Sequence, residues 1–313
     1  MKALRIATRG SALALWQANH LRDALANSFD IDSEIVVVKT SGDRFATAQI
    51  EQIGIRGIFT KELEDTLIAD RADLAVHSMK DVPTEFSEAC KIAIIFPRED
   101  PRDALVSQNG ESLKNLPQGA RIGTSSLRRA SQLRQFRPDF AIVEVRGNVD
   151  TRLRKVASGE CEAMVLAKAG LDRLGVESRI SEVLPPEIML PAVGQGALGV
   201  EILAARKDEF PFLNELVDKE TMRAVTAERT VLAALQGGCR LPLGAWGRFE
   251  GGELVLDSCV LSADGTKSVR GHGSALCDSI KDAQALGRAV ATQLLDAGAD
   301  RILKLAGRSV GQS

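Results

Sequence analysis

The sequence predicts two α/β lobes followed by a smaller α+β domain. Three observations carry that prediction. Short apolar runs alternate with amphipathic stretches over the first 200 residues; proline-rich segments interrupt them twice, at PREDPR (97–102) and LPPEIMLPAVGQGALG (184–199); and the texture changes from residue 219. Strand–helix alternation is the signature of a largely parallel, helix-covered sheet. At 313 residues the chain is also too long for one ordinary core.

In order, LRIATR (4–9) reads as a strand, and Ser11 can cap a helix whose Ala14, Ala18, Leu21 and Leu25 share one face. SEIVVVKT (33–40) is a second strand, and Phe59, Leu63 and Leu67 mark a helix by their spacing of four. DLAVHSM (73–79) and KIAIIF (91–96) are two further strands. Past the first interruption, ARIGTSS (120–126), FAIVEVRG (140–147) and EAMVLAKAG (162–170) read as strands, separated by the helical SSLRRASQLRQF and NVDTRLRKVASG. The strand-like GVEIL follows the second interruption. Two crossings imply that the chain leaves the first lobe and returns. The expected division is 1–97 with 200–215 as domain 1, 102–190 as domain 2 and 219–313 as domain 3. In domain 3, KETMRAVTAERTVLAALQ is a helix closed by Gly237-Gly238. A hairpin turning at Asp264-Gly265 follows, then a helix carrying Ile280, Leu286, Val290 and Leu294.

Composition narrows the function. Hydrophobic content of 44%, charged content of 26% and a formal net charge of −2 describe a globular chain with no overall basic character. No apolar run is long enough to span a membrane, and the N-terminus is interrupted by Arg5 and Arg9, unlike a signal peptide. The five cysteines are scattered without a CxxC pair, as in a reduced cytosolic protein, and the three histidines have no metal-ligand spacing. Aromatic residues make up only 4%, so the stacking platforms of a single-strand nucleic-acid binder are missing.

Positive charge is nevertheless concentrated. Residues 121–154 carry eight arginines against Asp139, Glu144 and Asp150. Arg9, Arg128, Arg129 and Arg146 sit where a strand should pass into a helix. In a parallel sheet such junctions share one edge, where helix N-termini and guanidinium forks favour an anion. Arg134, Arg137 and Arg154 read instead as solvated helix-surface charges. In AVHSMKDVP (75–83), Asp81 follows a strand end; it either steadies a cation or moves a proton, or bonds its own backbone in an Asx turn. His77 reads as a packed strand residue. The glycines of VGQGALG have dinucleotide-loop spacing, but a proline-rich turn precedes them and a strand follows, so they read as a hinge. Cys239, in LQGGCRLPLG, lies past a helix C-terminus with no neighbouring base, an arrangement that suits a once-reacting anchor or an inert buried thiol. The charge pattern alone is also compatible with a two-lobed anion clamp that does no chemistry.

RIATRGSALALWQ, LAVHSMKDVP, IGTSSLRR with VRGNVDTRL, and LQGGCRLPLG, in this order and separation, resemble the porphobilinogen deaminase (hydroxymethylbilane synthase) family along nearly the whole chain; REDPRDA and LPAVGQGALGVE fit it too. The resemblance implies two doubly wound domains like periplasmic binding proteins plus a smaller α+β domain. It implies a transferase that joins four porphobilinogens head to tail, with loss of ammonia, into a linear tetrapyrrole. A covalent dipyrromethane cofactor on Cys239 would prime it, with Asp81 as the catalytic residue. Lys80, Arg128, Arg129, Arg146 and Arg152 match the family's cofactor-binding set, and Arg9, Ser11, Arg146, Arg152 and Arg173 its substrate-binding set. A cytoplasmic monomer is implied, with no metal, nucleic acid or membrane partner and with its product passing to uroporphyrinogen-III synthase. The chain departs at Ile55-Arg56-Gly57, where the family often has Gly-Lys-Gly, so no contact is transferred to Arg56 in the expected lid 42–57; Gly10 and Ala12 also differ from common family choices.

Overall fold

A computed structural model describes residues 3–39, 60–84, 87–235 and 241–309. Phe59, the 42–57 segment, Gly237, Gly238 and Cys239 lie outside the described residues. The chain falls into two compact units, Met1–Arg98 with Ala197–Met222, and Glu99–Gly196 with Arg223–Ser313.

The first unit is built on β1 (Leu4–Arg9), β2 (Ser33–Val38), β3 (Leu74–Ser78), β4 (Cys90–Ile95) and β10 (Leu198–Leu203), in the order β2-β1-β3-β10-β4. β1 runs parallel to β2 and β3, whereas β10 is antiparallel to both β3 and β4. Helix α1 (Ala12–Phe29) starts as its sequence demands, with the Ser11 hydroxyl accepting from the Ala14 N–H. Its Ala18, Leu21 and Leu25 join Ile6, Leu74, Val76, Val200 and Ile202 in one core layer. Helix α2 (Lys61–Ile68) supplies Leu63 and Leu67 to a second layer with Ala7, Ala75 and Cys90. Alternation along β1 and β3 assigns these two sets to opposite faces, so the sheet is covered on both sides.

The second unit repeats the scheme with β5 (Asp103–Ser107), β6 (Arg121–Gly123), β7 (Ala141–Val143), β8 (Ala163–Ala167) and β9 (Glu182–Val183), ordered β7-β6-β8-β5-β9. β6 is parallel to β7 and β8, and β5 is the reversed strand. Helix α3 (Leu127–Phe136) packs Leu133 into one layer. α4 (Val149–Ala157) and α5 (Lys168–Arg173) place Leu153, Val156 and Leu171 in the other. EAMVLAKAG is thus a strand only as far as Ala167, and helical from Lys168.

After the short α6 (Leu213–Leu216), α7 (Lys219–Ala234) leads to an antiparallel sheet of β11 (Leu243–Glu250), β12 (Glu253–Leu261) and β13 (Ser268–Leu276). α8 (Ile280–Asp296) and α9 (Ala299–Ser309) follow, and Ala227, Val231, Leu256, Val290, Leu294 and Ile302 share one core. The chain is therefore α/β with two doubly wound sheets and a smaller α+β portion. Among the described residues no helix is long and apolar enough to cross a membrane.

Candidate active site

The C-terminal ends of β1 and β3 lie side by side, because the two strands are parallel neighbours. β1 ends in Arg9, and two residues later Ser11 caps α1. β3 ends in Ser78 and passes into a single 3₁₀ turn, Met79–Asp81, which leaves Asp81 exposed. These ends border a cavity lined by Arg9, Ser11, Gln17, His77, Ser78 and Asp81, with Leu13, Leu63 and Val76 as apolar wall. The structure thus brings together Arg9, Ser11 and Asp81, three residues legible in the sequence. Lys80 is half-buried in the same turn and is not among the lining residues.

Gln17 and His77 are additions. The Gln17 amide donates to Ser78 Oγ at 2.7 Å, tying α1 to the end of β3. His77 is 5% exposed, and its Nε2 lies 2.8 Å from Oε2 of the equally buried Glu201 on β10. Behind them, α2 contributes Glu64, whose carboxylate accepts from the Ser87 N–H. Burial pushes Glu64 above the usual carboxylate range, nearby Glu201 pushes it further, and the Ser87 bond opposes both.

The remaining arginines belong to the second unit. Arg128 and Arg129, in the first turn of α3, are both buried and converge on fully buried Asp103, each with a guanidinium nitrogen 2.6 Å from its carboxylate. Arg128 also donates to the Leu190 carbonyl. Burial alone would raise Asp103, yet the two guanidinium charges hold it well below the usual range. Two cations against one anion leave a surplus positive charge at this sheet end. Arg146 pairs with Glu144 at 2.6 Å, while Arg152 Nε donates to the Gly147 carbonyl ahead of α4. Arg173 is buried, with Nε on Glu99 and Nη2 on the Gly196 carbonyl. Arg134 donates to the Ala263 carbonyl, and Arg137 stacks on Phe140 while pairing with Asp139. Among the described residues no cluster has the makings of a metal site.

Two family models match the chain. "Porphobilinogen deaminase, dipyromethane cofactor binding domain" covers residues 4–210, and "Porphobilinogen deaminase, C-terminal domain" covers 222–296. The chain belongs to the porphobilinogen deaminase family. A porphobilinogen deaminase of Geobacter metallireducens is 45% identical over 306 residues, spanning 96% of this chain and 94% of its own. One of Bordetella parapertussis is 47% identical over 304 residues, spanning 97% and 96%. Among solved structures, the periplasmic aliphatic sulphonate binding protein SsuA of Escherichia coli aligns with 75% of this chain and 71% of its own, at 12% identity and a TM-score of 0.40.

The cavity suits the family's dipyrromethane by the chemistry of its donors. A dipyrromethane offers pyrrole N–H groups and several carboxylates. Asp81 is an exposed acceptor for the former, and Arg9 with the hydroxyl of Ser11 are donors for the latter.

Proposed function

We propose that this chain polymerises four porphobilinogen molecules head to tail, with release of ammonia, into the linear tetrapyrrole hydroxymethylbilane, on a dipyrromethane held by Cys239 through a thioether. The observation that carries this reading is Asp81: an exposed carboxylate beside Arg9 and Ser11 in one cavity of a porphobilinogen deaminase family member. When bound, the dipyrromethane supplies the free pyrrole carbon from which the product grows.

The chain's own residues have separable tasks. Asp81 accepts the pyrrole N–H groups and faces the positive charge that develops on a ring as ammonia departs. Charge stabilisation by a fixed carboxylate is worth most where it is aimed at charge absent from the ground state. Arg9 and Ser11 hold acetate or propionate groups at the start of α1, where unpaired N–H groups add to the attraction. Lys80, Arg128, Arg129, Arg146, Arg152 and Arg173 are assigned to the remaining carboxylates. The surplus charge around Asp103 supports a share for Arg128 and Arg129 even though both are paired. A thioether at Cys239 keeps the growing chain on the enzyme through every addition, at high effective concentration for the next. We further propose that the enzyme acts as a cytoplasmic monomer and that uroporphyrinogen-III synthase consumes its product.

Intact-mass measurement tests the reading. The purified chain should be heavier than its sequence by two linked pyrroles, and Cys239→Ser should lack that excess. Asp81→Ala should keep the added mass and lose most turnover, at least about a hundredfold. An unmodified Cys239 in a chain that still makes bilane would contradict the assignment, as would near-normal turnover by Asp81→Ala.

A further inference from the structure

Each addition has a proton to remove. The C–N bond of the aminomethyl group breaks with its electron pair leaving on ammonia, and a C–C bond forms between the methylene carbon and the free carbon of the terminal ring. That ring carbon then loses its hydrogen as a proton, the C–H pair returning to the ring. Asp81, engaged with the ring N–H groups, leaves this proton unassigned.

His77 has the placement of a proton acceptor. It sits on β3, one residue before Ser78, and lines the same cavity as Asp81. Register places Gly199 opposite His77 and Glu201 opposite Ala75, so Glu201 is the diagonal neighbour of His77 on the same face of the sheet. Its 2.8 Å contact with Nε2 is the only hydrogen bond of the ring among the described residues, which leaves Nδ1 without a partner there. A ring nitrogen on a buried carboxylate, with the other nitrogen available beside a substrate cavity, is the base-and-orienter arrangement of general base catalysis. Stability alone gives little reason for it, since apolar residues would fill the site as well as a buried hydrogen-bonded pair does. The charged groups around the ring are Glu201 from β10, Glu64 from α2, Arg9 at the end of β1 and Asp81 after its own strand, with the Cys90 thiol of β4 beyond the carboxylates.

We propose that His77, oriented by Glu201, is a catalytic residue whose Nδ1 accepts the proton lost from the ring carbon in each addition and returns it to solvent. The inference rests on the bilane-forming reading. It is distinct from the sequence expectation for His77, which made it packing alone.

The test uses the cofactor-loaded enzyme and porphobilinogen carrying deuterium at its free ring carbon. His77→Gln should slow addition by about a hundredfold or more, with KM changed only a few-fold. A primary isotope effect larger than that of the wild type should emerge, and added imidazole should restore part of the rate. Glu201→Gln keeps a hydrogen bond but removes the carboxylate that fixes the ring's orientation through Nε2. It should therefore lower kcat about tenfold or more with KM changed only a few-fold, and it carries the test should His77→Gln fail to fold or to load cofactor. Independently of turnover, the ¹⁵N signals of His77 in the loaded wild type should report the tautomer whose proton sits on Nε2, facing Glu201. A His77→Gln rate within threefold of the wild type overturns the proposal, as does a slower rate without an enlarged isotope effect, an unchanged kcat in Glu201→Gln, or a ring whose proton sits on Nδ1. Absence of bilane from the wild type would instead refute the bilane-forming reading itself.

Discussion

Cys90, Cys161, Cys259 and Cys277 are all buried and unpaired as disulfides. Burial pushes each thiol up, and for Cys90, where Glu201 and Glu64 add to it, up to about 12. Only the thiolate reacts, and at neutral pH a thiol raised that far has a thiolate fraction about a thousandfold below that of a free cysteine. Iodoacetamide applied to the folded protein near neutral pH should leave these four unmodified, whereas unfolding in denaturant should expose all of them; peptide mapping by mass spectrometry reads both. Labelling of Cys90 in the folded state would show that its burial is overstated. The thioether proposal for Cys239 thus has no rival among the described cysteines. At the same scale, part of the cavity was legible and part was not. Arg9, Ser11 and Asp81 stand at strand ends, a position that can be read from local pattern. Gln17, His77 and Glu201 matter through partners 61 and 124 residues away, which no local pattern reveals. Their one visible sign is a polar residue in an otherwise apolar stripe or strand. Gln17 falls beside Ala18 and Leu21 on the buried face of α1, and Glu201 interrupts GVEIL.

At the scale of elements, strands carrying several apolar residues between turn or helix signals could be read directly, as with β1, β3 and β12. β5 could not. DALVS opens with a charged residue just after Pro101, and Asp103 becomes a core residue only when Arg128, Arg129 and Gln195 close around it. β11 was hidden by glycines that suggest a turn. At Gly247 the missing side chain permits close packing, because a Cβ there would lie 2.9 Å from the Ala224 carbonyl oxygen. The VGQGALG segment reads as a hinge rather than a dinucleotide loop because a strand is expected after it, and β10 does follow it. Gly196 within it has φ +85°, and a Cβ would fall 2.5 Å from the Glu99 carbonyl oxygen. Both terms oppose any side chain: the left-handed backbone costs about 1 kcal/mol or more, and a backbone oxygen cannot rotate away. Gly196→Ala should therefore lose about 2 kcal/mol or more, measured as a lower urea midpoint with unchanged slope. A midpoint equal to the parent's would mean that the Glu99–Gly196 crossing relaxes freely.

Each unit of the molecule has its own buried aspartate under arginine control, so acid sensitivity is built in twice. In the first unit Asp73 accepts from the Arg5 backbone and guanidinium and from Arg206, at 2.9–3.0 Å, just ahead of β3 and at the end of the strand remote from the cavity. Burial alone would raise Asp73, but these donors reverse that and lower it from 3.8 to about 2. In the second unit Asp103 is held down in the same sense by Arg128 and Arg129. A carboxylate depressed in the folded state binds protons more readily in the unfolded chain. Its stabilisation is therefore complete above the unfolded value near 3.8 and is lost as pH falls toward 2. For the mostly buried Asp73 the displacement corresponds to roughly 2 kcal/mol. Asp73→Asn should lower the urea midpoint at pH 7 by about that free energy, and the gap from the parent should narrow progressively between pH 4 and pH 2. Because Asp103 is untouched, the variant should still lose stability in acid, with a shallower slope. Parent and variant curves that stay parallel through that window would show that the Arg5–Asp73–Arg206 cluster is not the titrating element, and would leave the acid response of the first unit to other carboxylates.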